Sequence, residues 1–89
     1  MYELDESNVI AELFVPKKYV GHALDSINIE NRFDLKVVAI KVAPVKEGLF
    51  STLKKEYSID FDFDRLKPLH ERDIIVVAGK HLNIKRLFV

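Results

Sequence analysis

The sequence predicts a small α+β domain, a mixed β-sheet flanked by short helices. Three observations carry that expectation. Glu12-Leu13-Phe14-Val15 reads as a strand stopped by Pro16, which cannot donate a ladder hydrogen bond. Val20, Ala23, Leu24 and Ile27 then recur at helical spacing, as on one buried face. Residues 35–42 are dense in β-branched side chains (Val37, Val38, Ile40, Val42) and read as a central strand, apolar on both faces.

The elements follow in order. Residues 8–15 form the first strand, and 17–28 contain the first helix, with Gly21 near its start. Residues 31–34 read as a polar turn anchored by Phe33, and Pro44 closes the strand over 35–42. Across 45–57, Leu49, Leu53 and Tyr57 are spaced for a helix of roughly two to three turns, weakened at its start by Gly48. Residues 58–64 alternate Ile59, Phe61 and Phe63 with Asp60, Asp62 and Asp64, the pattern of a half-buried strand with one wet face. Pro68 and residues 70–72 make a turn. Residues 73–78, with Ile74-Ile75-Val76-Val77, form the last strand, ended by Gly79. Residues 82–88 form a terminal helix with Ile84, Leu87 and Phe88 on one side. Only residues 1–7 read as an edge.

Composition narrows the function. Eighty-nine residues make one domain, near the lower limit for a self-sufficient core, and 48% hydrophobic content is too high for a disordered segment. Fourteen basic residues balance fourteen acidic ones, which argues against a nucleic-acid or anionic-membrane partner. The absence of cysteine removes disulfides, thiol catalysis and cysteine zinc sites, and fits a reducing compartment. The longest apolar stretch, 74–78, is too short to span a bilayer. The acidic N-terminus lacks a signal-peptide core, so the expected location is cytoplasmic.

No chemical constellation points to catalysis. His22, His70 and His81 have no partners at metal-ligand spacing and read as surface or turn histidines, with His22 set apart by its place after Gly21. Asp60, Asp62, Asp64 and Glu71 imitate a calcium loop, but its glycine position holds Arg65 and its ninth position Pro68. Ser7, Ser26, Ser51 and Ser58 sit in no nucleophile elbow, and Gly21, Gly48 and Gly79 are too isolated for a phosphate loop. No catalytic or metal site is expected. Lys17-Lys18 and Lys54-Lys55 read as solvated charge, with an anionic ligand or acidic partner surface as the second role.

Three segments in order carry a resemblance: Glu12-x-x-Val15-Pro16-x-x-x-x-Gly21-x-x-Leu24-x-x-Ile27-x-Ile29, then Phe33-x-Leu35-x-Val37-Val38-Ala39-Ile40, then Leu69-x-x-x-Asp73-x-Ile75-Val76-Val77-x-Gly79. Together they resemble the RCK-C (TrkA-C) regulatory domain of Trk/Ktr-type potassium-uptake proteins. In these segments Pro16 and Gly21 make the strand-to-helix turn, and Asp73 caps the turn before the last strand.

The resemblance implies a non-catalytic domain that forms a homodimer and follows a nucleotide-binding Rossmann lobe. Residues 1–7 would then be the linker from that missing lobe and 8–89 the RCK-C-like domain. It implies no cofactor here, a nucleotide of the NAD or ATP class for the missing lobe, and a membrane potassium transporter subunit as partner of the full-length protein. The domain would gate transport from the cytoplasm, peripheral to the inner membrane, through ligand-biased dimer geometry. The alternative is the ligand-sensing tail of a cation–proton antiporter or other transporter. Some family members bind cyclic di-AMP between paired domains through an arginine and an asparagine, at positions that hold Glu30 and Lys36 here. The candidate two-fold cleft is therefore Glu30, Asn31, Arg32, Phe33, Lys36, Val37 and Val38.

Overall fold

The central strand of the sheet is the last one in sequence. The computed structural model describes residues 1–44 and 56–89. Its strands are β1 (Tyr2–Glu3), β2 (Asn8–Phe14), β3 (Leu35–Val42), β4 (Ser58–Asp60) and β5 (Ile74–Lys80), in the spatial order β1-β2-β5-β3-β4. The α+β class is as expected, and every pairing is antiparallel rather than mixed. The helix expected over 45–57 lies outside the described residues but for its last two positions.

Val77 and Ile75 of β5 pair with Ala11 and Leu13 on one side and with Val37 and Ile40 on the other. These residues line the core face of the sheet, where Ile75 and Val77 are 1% and 0% exposed. Burying each contributes about 1.5–3 kcal/mol. Between Val37 and Ala39 the register shifts, because Val37 pairs with Val77 and Ala39 with the adjacent residue, Val76. Val38 is thus the extra residue of a β-bulge and is half-buried, which corrects the reading of a strand buried on both faces.

The helix expected over 17–28 is broken into a 3-10 turn, Lys17–Tyr19, and a short helix α1, Leu24–Ile27. Gly21 between them has φ +84°, a left-handed conformation that glycine adopts without a Cβ penalty, and Ala23 is extended. Val20, expected on the buried face, consequently lies at the surface. Asn28, with φ 58°, joins α1 to a second helix, α2 (Ile29–Phe33), where a polar turn was expected. Asp34, with φ 52°, turns the chain from α2 into β3. Asn and Asp tolerate this left-handed conformation better than other non-glycine residues. Phe33 is the buried anchor the sequence suggested.

The alternation over 58–64 is strand only as far as Asp60. Beyond it Asp60 Oδ1 accepts from the Asp62 N–H and Asp64 Oδ1 from the Leu66 N–H, each at 2.9 Å. These side-chain bonds compete with the ladder and bend the chain. Phe61 is left exposed, while Phe63 packs against the core. The last strand runs past Gly79 to Lys80, and α3 (His81–Arg86) follows at once. Ile84 and Leu87 are buried and Phe88 is not. Asp73 caps its turn as expected, with Oδ2 accepting the His70 N–H at 3.0 Å.

Residues 1–7 contain β1, paired with Ile10 and Val9, and a turn in which Asp5 Oδ1 accepts the N–H groups of Ser7 and Asn8. The helices pack on the core face. The opposite face carries Tyr2, Ile10, Phe14, Ile59, Ile74 and Val76, crossed by a Glu12–Lys41 ion pair. Among the described residues no helix covers it, and Phe14 is 64% exposed there.

Candidate functional site

The seven residues of the expected cleft lie along α2 and the first half of β3, and the structure turns them in three directions. Phe33 and Val37 enter the core. Lys36 and Val38 are accessible from the sheet, Lys36 opposite Ala78 on the face away from the described helices. Glu30 turns toward the loop before β5, where Arg65 Nη2 approaches its Oε2 at 2.5 Å. The same guanidinium lies 3.6 Å from Asp25 of α1. Arg65 thus gathers the acids of both helices to one side, and the resulting pair is half-exposed and screened.

That loop is fastened to the helix side by backbone bonds as well. The Gly21 N–H donates to Leu69 O at 2.8 Å, Leu69 N–H to His22 O at 3.0 Å, and Asp25 N–H to Arg65 O at 3.0 Å. Asn31 donates to the Asn28 side chain at 2.9 Å, holding the corner between α1 and α2.

Arg32 points the other way. Its Nη1 donates to Ile27 O at 3.2 Å, and its guanidinium carbon lies 5.1 Å from the centre of the Phe33 ring. Arg86 of α3 lies 5.7 Å from the same ring. Both distances suit a cation–π contact. Beside Arg32 is an open pocket of about 200 Å³ lined by Lys18, Tyr19, His22, Ser26, Ile27 and Arg32. Lys18, His22 and Arg32 supply its basic side chains, and no Asp or Glu lines it.

Sequence reasoning therefore found Arg32 and Phe33 but grouped them with residues that face elsewhere. It passed over Ser26 and Arg65. Lys18, His22 and Ser26 recur every four residues, but the chain breaks between them at Gly21 and Ala23, so helical spacing is not what brings them together. Arg65 carries no local signal, since its partners are 35 and 40 positions away in the chain. Among the described residues no three His, Cys, Asp or Glu side chains converge as metal ligands.

No family model matches the chain, and no curated protein matches it. Among solved structures it is similar to the regulator of conductance of K+ (RCK) C domain of the potassium transport protein KtrA, in complex with cyclic diadenosine monophosphate. The two are 20% identical, and the match covers 89% of this chain and 78% of that one with a TM-score of 0.67. The likeness shows the fold: the chain has the RCK C-domain architecture.

Proposed function

We propose that this chain is a non-catalytic regulatory and dimerisation domain of a cytoplasmic potassium-uptake regulator. The observation that supports it best is the RCK C-domain fold, matched over 89% of the chain. The sheet face away from the described helices agrees with pairing: Phe14 and Ile59 are exposed apolar side chains there, on a domain near the lower size limit for a self-sufficient core. Pairing across a two-fold axis would bring Lys36 and Val38 toward the partner, and a ligand that favours one dimer geometry would shift the lobes attached to it. In the full-length protein an upstream Rossmann lobe would hold the nucleotide and contact the membrane transporter subunit, and residues 1–7, which include β1 of this sheet, would lead from it.

Sedimentation of the isolated chain tests the pairing. A dimer is expected at micromolar concentration, and Phe14→Arg is expected to shift it to monomer while leaving the fold intact, because the side chain is already exposed. A monomer at ten times that concentration counts against the proposal.

A further inference from the structure

We propose that the pocket lined by Lys18, Tyr19, His22, Ser26, Ile27 and Arg32 binds a phosphate-class dianion within a single chain. The inference goes beyond the regulatory reading and does not need it. It begins with charge. The chain as a whole is neutral, with fourteen bases and fourteen acids, yet Lys18, His22 and Arg32 meet here with no Asp or Glu side chain among them. The acids of the adjoining helices, Asp25 and Glu30, are drawn off by Arg65. The same helix pair is thus acidic toward the loop and basic toward the pocket.

The guanidinium in this pocket is already held in place. Arg32 is held by its bond to Ile27 O and by the Phe33 ring, which is itself 7% exposed. Little side-chain freedom is left to lose on binding, and four of the five guanidinium N–H donors remain for a ligand. Arg86, over the same ring, adds positive charge nearby. Lys18 donates to Val89 O at 2.5 Å and keeps two further N–H groups.

About 200 Å³ lies below the usual range for drug-sized ligands, roughly 300–1,000 Å³, so the pocket suits a headgroup-sized anion. Its donors are an ammonium, an imidazole, a guanidinium and the Ser26 hydroxyl. A tetrahedral dianion offers enough acceptor oxygens to engage such a set at once, while a carboxylate offers two. The shared chemistry is a phosphate group, either free or as the monoester of a small molecule.

Amide NMR on the whole chain at low salt tests this, with inorganic phosphate and phenyl phosphate as separate probes. Saturable shifts are expected at His22, Ser26 and Arg32. Arg32→Gln and His22→Gln are each expected to weaken binding about fivefold or more, the effect of losing one charge-assisted contact. His22 is exposed, so its substitution leaves the fold as a control against simple unfolding of the Arg32 variant. Lys36→Gln, on the other face of the sheet, is expected to change nothing. Tighter binding of phenyl phosphate assigns a monoester, and equal binding assigns free phosphate. Lack of saturation with both probes, or no loss in a folded His22→Gln protein, overturns the proposal. Shifts that disappear with Lys36→Gln instead overturn it while leaving the two-fold cleft standing.

Discussion

Leu35 occupies the space that a side chain on Gly79 would need. A Cβ built on Gly79 would lie 2.6 Å from Leu35 Cδ2 and 3.3 Å from the Asp34 carbonyl oxygen. The two residues are register partners where β3 begins, just after the left-handed Asp34. The absent side chain is what lets α2 turn into the sheet so tightly. Gly79→Ala is therefore expected to destabilise the domain by about 1–3 kcal/mol, the usual range for overpacking. Urea denaturation reads it directly, and an unchanged midpoint would show that Leu35 can move aside.

The bulge makes neighbouring valines unequal. Val37 is 7% exposed and belongs to the core, while Val38 is half-buried outside it. Val37→Asp is expected to cost several kcal/mol as an unpaired buried carboxylate, enough to unfold a domain of about 5 kcal/mol. Val38→Asp is expected to cost about 1 kcal/mol and to give soluble, cooperatively folding protein. Similar losses for both in circular-dichroism melts would place the bulge elsewhere.

Asp5 supplies a pH-dependent contribution at the N-terminal turn. The Asn8 side-chain amide, then the backbone N–H groups of Ser7 and Asn8, hold its carboxyl below its ordinary value. A carboxylate with a depressed folded-state pKa stabilises above its unfolded-state pKa, and the effect is lost as pH falls through the folded value. NMR titration should find Asp5 below ordinary aspartates, and Asn8→Ala should move it upward. An Asp5 titration that ignores Asn8→Ala would rule out that cause.

Cyclic di-AMP is expected to bind weakly, with a Kd above about 1 μM. Glu30 offers a carboxylate with only Oε2 paired to Arg65 and Oε1 buried without a partner, so that position presents negative charge rather than a guanidinium to a phosphodiester. Lys36 acts as a point charge without an arginine's fork. Calorimetry showing tighter binding would mean that the ligand reaches Arg32 or Arg65 instead.

The sheet was largely legible in the sequence, for a local reason. Strands β2, β3 and β5 are runs of Val, Ile and Leu bounded by Pro16, Pro44 and Asp73, and their positions shift by a residue or two at most. The helix over 17–28 was not, because its periodic apolar residues masked an interruption at Gly21 and Ala23. The strand expected over 58–64 was read too long, because three aspartates with turn chemistry were read only for alternation. At the site, local reading found Arg32 and Phe33, whereas the split between Glu30 and Arg32 depends on Arg65, a distant residue whose effect no window around α2 contains.

Strand order also governs when the domain can assemble. β5 lies between β2 and β3, so neither of those strands has its main partner before residues 74–80 have been synthesised. On the ribosome the first half of the chain would carry two apolar strands with open edges, a template for pairing with other chains. Closing the sheet requires contacts across much of the sequence, which slows folding relative to a helical protein of this length. Removing residues 74–89 would therefore leave two unjoined halves rather than a shortened domain, and nascent protein stalled before β5 is the species most exposed to aggregation.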